Sequence, residues 1–170
     1  MPCVSFNARD DMMKELWPKL RPANNSDREE IIRLVFTVLK EYGLKPDPAS
    51  TDADLKDIES SYFERGGMFL VLEEKDGSII GAYGLYPMEP HTCELRKMYL
   101  HKVHRSKGLG KLLMEDALSR ARQLGFKTMI LETASVLKEA IALYKSYGFV
   151  EYQPDHMSDR CDQAYTLKLE

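Results

Sequence analysis

A glycine-containing turn between a strand-like segment and a helix-like segment constrains this chain more than any other feature. The turn spans residues 105–111 and reads Arg-Ser-Lys-Gly-Leu-Gly-Lys. An apolar run of strand composition precedes it, and leucines and alanines follow at helical spacing through residue 124. A helix that begins here presents unpaired backbone N–H groups and partial positive charge to the turn. Because glycine lets a bulky anion approach the backbone, the turn is predicted to bind a diphosphate.

Two common diphosphate-binding motifs do not match this turn. A P-loop has a hydroxyl residue after its lysine, where this chain has Leu112. A dinucleotide-binding fingerprint needs a third small residue, where this chain has Leu113. The pattern that remains is Arg-x-x-Gly-x-Gly at residues 105–110.

This pattern resembles motif A of the GNAT superfamily of N-acetyltransferases, which binds the pyrophosphate of acetyl-coenzyme A. A later segment, Leu-Tyr-Lys-Ser-Tyr-Gly-Phe at residues 143–149, is similar to the second helix motif of that family. The separation of the two motifs, with one predicted strand between them, also matches. The resemblance covers roughly residues 16–169.

The resemblance implies an α/β fold: a mixed, mostly antiparallel sheet of six to seven strands flanked by about four helices. Residues 1–15 are interpreted as an N-terminal extension and residues 16–170 as a single domain. The first helix is expected between a cap at 24–27 and Gly43. Periodicity and turn residues predict strands at 17–21, 68–73, 79–86, 92–100, 126–133, 149–152 and 164–169, and further helices at 52–65, 109–123 and 135–147.

Composition argues against several other classes of protein. The chain is 44% hydrophobic and 30% charged, and its net charge of −3 without a long basic run argues against a nucleic-acid binder. No apolar run approaches the roughly 20 residues that span a membrane. Three widely spaced cysteines predict reduced thiols in the cytoplasm rather than a disulfide framework. The histidines are scattered, so no metal site is predicted.

Acetyl-CoA is the cosubstrate that the resemblance implies. The backbones of Met98 and Leu100 would pair with the pantetheine arm as a neighbouring strand would. Family members often have an asparagine where this chain has Leu137, so one polar contact is in question. The pyrophosphate would be bound by the turn residues Arg105, Ser106, Lys107, Gly108, Leu109, Gly110 and Lys111.

Acetyl transfer to an amine needs a base for the ammonium and an acid for the departing thiolate. The resemblance puts Tyr144 near the coenzyme sulfur, where it is predicted to be the proton donor, with Tyr147 as the competing phenol. Glu94 lies 14 residues before Gly108, where histone-acetyltransferase-like members have a catalytic glutamate. It is the predicted base, acting through a water. Glu132 and a water chain without a dedicated base are the alternatives.

The expected acceptor is the primary amine of a small molecule, acetylated directly in a ternary complex. Clustered carboxylates in the segments that wall the acceptor site in this superfamily would attract a cationic amine. They are Asp47, Asp52, Asp54, Asp57, Glu59, Asp155, Asp159 and Asp162. A lysine or N-terminus of a protein is the alternative acceptor, and a catalytically silent acyl-CoA-binding sensor or interaction domain is the alternative function. The resemblance also implies that a homodimer can form through the final strands.

Overall fold

One mixed sheet of seven strands runs through the computed structural model, which describes residues 16–170. The predicted N-terminal extension, residues 1–15, lies outside the described residues. The strands are Lys19–Pro22 (β1), Met68–Glu73 (β2), Ile79–Glu89 (β3), Thr92–Leu100 (β4), Thr128–Thr133 (β5), Val150–Tyr152 (β6) and Gln163–Lys168 (β7). Their order is β1-β2-β3-β4-β5-β7-β6, and β4 with β5 is the parallel pair of the described sheet. The predicted mostly antiparallel sheet is confirmed.

Helices cover both faces of this sheet. They are Arg28–Glu41 (α1), Ile58–Ser61 (α2), Leu109–Gln123 (α3) and Lys138–Ser146 (α4). Alternation along β2 divides the core, because successive strand residues point to opposite faces. Phe69 and Val71 pack with α1 and α2, whereas Leu70 and Leu72 pack with α3 and α4. No helix among residues 16–170 has the length and apolar character needed to cross a membrane.

The single helix predicted over residues 52–65 is wrong. Residues Ala53–Lys56 and Phe63–Arg65 form short 3₁₀ turns on either side of α2. Asp57 interrupts the helix in an extended conformation (φ −144°, ψ 93°), and its carboxylate accepts the N–H of Ser60. An aspartate that caps a new helix competes with continuation of the preceding one.

The parallel pair β4–β5 opens after three residues. Residues 92–94 pair with 128–130, but β4 continues to Leu100 and β5 to Thr133 without further pairing between them. The two strands therefore diverge beyond Glu94 and leave a cleft inside the sheet.

A β-bulge in β4 lies beside this cleft. Gly84 pairs with Arg96 and Ala82 with Tyr99, so β4 has one more residue than β3 over this interval. The extra residue falls at Lys97, which has a positive φ of 54°. A bulge of this kind resets the alternation of side chains along its strand.

Candidate active site

A cavity of about 890 Å³ fills the cleft between β4 and β5. At one end it is lined by the turn before α3 and by residues of α4. At the other end it is lined by residues 50–51 and by residues 156–158 and 160–161 of the segment between β6 and β7. The cavity therefore joins the predicted diphosphate turn to the predicted acceptor side.

Unpaired backbone N–H groups line the diphosphate end. In the described chain, none of the N–H groups of residues 106–111 donates a hydrogen bond, because α3 begins at Leu109 and its first internal bonds are made by later residues. Ser106 and Gly108 have positive φ values of 62° and 81°, and such residues make successive N–H groups converge on an anion. A Cβ added to Gly108 would meet no atom within 4 Å. The space beside Gly108 is therefore open, as the approach of an anion to these donors would require.

The cations of the turn have different surroundings. Arg105 Nη1 donates to Glu41 Oε2 at 2.8 Å, and Arg105 Nε donates to the carbonyl of Leu100 at 3.0 Å. Arg105 therefore fixes the turn to α1 and to the end of β4, and its charge is already shared with a carboxylate. Lys107 and Lys111 are exposed, and Lys111 lies 3.9 Å from Glu115. Both lysines are therefore closer to solvent than Arg105, and the ion pair of Lys111 is longer than that of Arg105.

Met98 and Leu100 lie on the edge of β4 that has no partner strand on the β5 side. Their side chains pack on the core beneath α3 and α4, together with Leu109. Their backbone thus faces the cleft, the arrangement that predicted pairing with an extended ligand requires. Leu137, at the start of α4, also lines the cavity, with an apolar side chain.

Tyr144 lines the cavity from α4 and is buried beside Phe149 and Tyr165. Burial raises the pKa of the Tyr144 phenol well above its usual value of 10, so the group stays protonated at neutral pH. The competing phenol of Tyr147 instead donates to Glu115 of α3 at 2.9 Å. The geometry favours Tyr144 as the phenol that faces a ligand.

Glu94 and Glu132 lie on the α1 side of the sheet, where β4 and β5 diverge. Burial raises the pKa of the Glu94 carboxyl, and the Arg96 guanidinium, whose Nε donates to Glu94 Oε2 at 2.6 Å, opposes that rise. Glu132 Oε2 accepts both the N–H and the hydroxyl of Ser158 at 3.0 Å. The acceptor end of the cavity thus contains one carboxylate with an arginine partner and one with neutral donors.

The predicted acidic cluster is wrong as an acceptor wall, because none of its eight carboxylates lines the cavity. Asp52 is buried and accepts two hydrogen bonds of 2.7 Å from Arg160. Asp54 Oδ1 lies 3.3 Å from Lys97 Nζ. Asp57 caps a helix, and Asp162 Oδ1 accepts the N–H of Ser135 at 2.7 Å. These four carboxylates are bound to groups of the protein instead.

The buried ion pairs around Asp52 were missed at the sequence level. Lys97 Nζ lies 3.1 Å from Asp52 Oδ1 and donates to the carbonyl of Thr51 at 2.9 Å. Burial opposes the ionisation of Asp52, but hydrogen bonds from Arg160 and the attraction of Lys97 prevail and lower its pKa to about 2. The sequence feature that could have indicated these ion pairs is Arg96-Lys97, two successive cations in a predicted strand. In a regular strand, one of the two would point into the core.

Other reactive groups near the site do not form a metal centre. In residues 16–170, no group of three or more His, Cys, Asp or Glu side chains is placed to hold a metal ion. Cys93 and Cys161 are free thiols; burial raises the pKa of both, and Cys161 lines the cavity.

The sheet opens at the parallel pair of β4 and β5, and the turn with unpaired N–H groups lies at the end of that opening. The model of the acetyltransferase (GNAT) family matches residues 29–149, and the chain belongs to this family. The predictions of a GNAT resemblance and of an acyl-CoA-dependent N-acetyltransferase are therefore confirmed.

Individual relatives agree with this family. The chain is 40% identical over 137 residues to the uncharacterized N-acetyltransferase YjgM of Escherichia coli, covering 78% of this chain and 81% of that protein. Its fold is similar to that of a GNAT-family acetyltransferase from Staphylococcus aureus, with a TM-score of 0.83, 24% identity, and coverage of 89% and 99%. The structure of yncA, a putative acetyltransferase from Salmonella typhimurium with its cofactor acetyl-CoA, has a TM-score of 0.70, 23% identity, and coverage of 89% and 94%.

Proposed function

We propose that this protein transfers the acetyl group of acetyl-CoA directly to the primary amine of a small molecule in a ternary complex. The observation that supports this most strongly is the continuity of the cavity. It connects the unpaired N–H groups of residues 106–111 with the carboxylates of Glu94 and Glu132. A thioester donor and a cationic acceptor can therefore meet inside one cleft.

The donor half uses the turn, the free strand edge and one phenol. The N–H groups at the start of α3, with Lys107 and Lys111 nearby, bind the pyrophosphate. The backbone of Met98 and Leu100 orients the pantetheine arm along the unpaired edge of β4. Tyr144 keeps its proton until a thiolate forms beside it, because burial destabilises the phenolate. That burial also raises the basicity of the thiolate, which favours the transfer.

The acceptor half needs a neutral amine. Glu94 takes the ammonium proton through a water, and its raised pKa keeps its basicity above that of an exposed carboxylate. Arg96 opposes this rise and so favours the ionised form of the carboxylate. The thioester supplies the acetyl group, and the neutral amine attacks its carbonyl carbon.

The enclosure of the acceptor end supports a small acceptor over a protein. Residues 153–162 are tied to the loop at 45–52, since Arg160 Nη1 donates to Asp52 Oδ2 at 2.7 Å and to the carbonyl of Lys45 at 3.4 Å. These contacts hold one wall of the acceptor end in place, so that a small amine has a fixed surface to bind against. The free thiols at Cys93 and Cys161 are compatible with the cytoplasm, and a homodimer through the final strands stays a prediction.

Calorimetric titration of the purified protein with acetyl-CoA, CoA and a longer acyl-CoA tests the donor site. Thiol release in the presence of putrescine, tyramine, free amino acids and a lysine-containing peptide then tests the acceptor. Turnover with a small amine but not with the peptide supports the proposal. Peptide turnover alone would indicate a protein acetyltransferase, and binding of acetyl-CoA without any turnover would indicate a sensor.

A further inference from the structure

The segment between β6 and β7, residues 153–162, covers the acceptor end of the cavity and is tied down at two points. Ser158 donates its N–H and its hydroxyl to Glu132 Oε2, both at 3.0 Å. Two residues later, Arg160 Nη1 and Nη2 donate to the two oxygens of Asp52, each at 2.7 Å. One contact therefore reaches a carboxylate that lines the cavity, and the other reaches a carboxylate behind it.

The Asp52–Arg160 pair is the buried anchor of this segment. The Asp52 side chain has no exposed surface and that of Arg160 is 11% exposed. Asp52 also accepts the N–H of Asp47 at 2.8 Å, and Lys97 Nζ lies 3.1 Å away. A carboxylate with donors on all sides has a single orientation. The pair thus joins the loop at 45–52, the β4 bulge and residues 153–162 in one fixed arrangement.

Glu132 differs from Glu94 in its partners. Glu94 is paired with Arg96 at 2.6 Å. Within the described part of the chain, no lysine, arginine or histidine pairs with Glu132, whose partners are the neutral donors of Ser158. Its charge is therefore available to an ammonium group, and its direction is set by Ser158.

We propose that Asp52 and Arg160 are positioning residues for the acceptor: their pair holds residues 153–162 so that Ser158 aims Glu132 at the ammonium of the amine. The proposal rests on the proposed function. Glu132 contacts the amine, whereas Asp52 lies behind the cavity wall and Arg160, which lines the cavity, acts by holding the segment. A released segment would adopt the binding arrangement only part of the time, and apparent affinity falls by that fraction.

Kinetics separate positioning from stability. In Arg160→Met we expect KM for the best amine of the panel to rise about tenfold or more, with KM for acetyl-CoA within about twofold of wild type. Arg160→Lys, which keeps one charge-assisted contact, should recover part of the loss. The matched control is Arg21→Met, because Arg21 makes a similar double contact, at 2.8 Å, with Asp27 at the N-terminal end of α1. Both variants should lose thermal stability, but the control should keep the amine KM.

Ser158→Ala removes the hydroxyl contact with Glu132 and leaves the Asp52–Arg160 pair intact. It therefore tests the proposal even if Arg160→Met does not fold. It should raise the amine KM by a smaller factor and leave kcat within about threefold, because the N–H of residue 158 remains. An unchanged amine KM in folded Arg160→Lys and Ser158→Ala would overturn the proposal.

Amide hydrogen exchange tests whether the Asp52–Arg160 pair holds residues 153–162, and it needs no acceptor substrate. Protection of residues 153–162 should fall in Arg160→Lys and stay unchanged in Arg21→Met. Equal protection in both variants would also overturn the proposal. A wild-type protein that acetylates no amine would refute the proposed function instead, and the exchange result would still decide whether Asp52 and Arg160 hold the segment.

Discussion

A substitution at Gly110 can separate the effect of a side chain on coenzyme binding from its effect on the stability of the fold. It lies in the first turn of α3 and lines the cavity. A Cβ added there would lie 3.7 Å from Leu143 Cδ2 and 3.8 Å from Leu100 Cδ1, which are ordinary van der Waals distances. The folded chain therefore has room for Gly110→Ala, but a coenzyme bound against this turn would meet the added methyl group.

The two effects of Gly110→Ala are expected to have opposite signs. Alanine is favoured over glycine inside a helix by about 0.5–1 kcal/mol, and a first-turn position gains at most that much. For a chain of this length, the melting temperature should stay constant or rise by about 1–4 °C. Displacing the pyrophosphate from one N–H group should cost about 1.5–3 kcal/mol, since hydrogen bonds to charged groups have this strength. The Kd for acetyl-CoA should therefore rise about 10- to 100-fold.

Calorimetric titration and thermal unfolding of the same preparations measure both quantities. Gly108→Ala is the informative comparison, because Gly108 has a φ of 81° and a side chain in that region costs about 1–2 kcal/mol. That variant should lose both stability and affinity. Wild-type affinity in a stable Gly110→Ala protein would show that the coenzyme does not approach the start of α3, and the interpretation of the turn would have to be abandoned.

Four further variants test the chemistry and the buried charges. Tyr144→Phe should lower kcat about 100-fold with unchanged affinity for acetyl-CoA, whereas Tyr147→Phe should keep full turnover; equal rates in both would remove the phenol from the mechanism. Arg96→Gln should shift the acid limb of the kcat/KM profile to higher pH, because the pKa of Glu94 rises when its cation is lost; an unshifted limb would argue for another base. In the wild-type protein, the pKa of Asp52 is about 2 when folded against 3.8 when unfolded, so its ionisation adds about 2 kcal/mol to the free energy of unfolding above about pH 4. This contribution disappears as the pH falls from about 4 to 2. Asp52→Asn should therefore lose about 2 kcal/mol less over this range than the wild-type protein, as measured by denaturant titrations at each pH.

The strand, turn and helix that carry the proposed coenzyme site could be predicted because their determinants are local. The strand at 92–100 was predicted with the bounds that the structure has, and the helix after Gly108 follows from leucine spacing and two glycines. The free N–H groups of residues 106–111 are a consequence of helix geometry at any such junction. A short stretch of sequence therefore specifies both the fold of this region and its free N–H groups.

The acceptor half could not be predicted because its contacts join distant segments. Asp52 and Arg160 are 108 positions apart, and Glu132 and Ser158 are 26 apart. Carboxylates in a loop look the same in sequence whether they face water or accept hydrogen bonds from a buried arginine. The prediction of one helix over residues 52–65 was wrong for a related reason. The apolar spacing suits a continuous helix, but Asp57 caps a separate helix that begins at Ile58. Whether the chain forms one helix or two depends on how Leu55 and Ile58 are buried against distant segments.

The bulge in β4 determines both halves of the site at once. Without the extra residue, strict alternation would put Lys97 on the face of Cys93 and Leu95, where it would be an unpaired cation in the core beneath α3. With the extra residue, Arg96 and Lys97 both face α1 and reach Glu94 and Asp52, and Met98 returns to the core face. The bulge lies in the part of β4 that does not pair with β5, where the backbone of β4 faces the cleft. Deleting one residue at this bulge should therefore impair coenzyme binding and the acceptor network together, whereas a change at Gly110 should affect coenzyme binding alone.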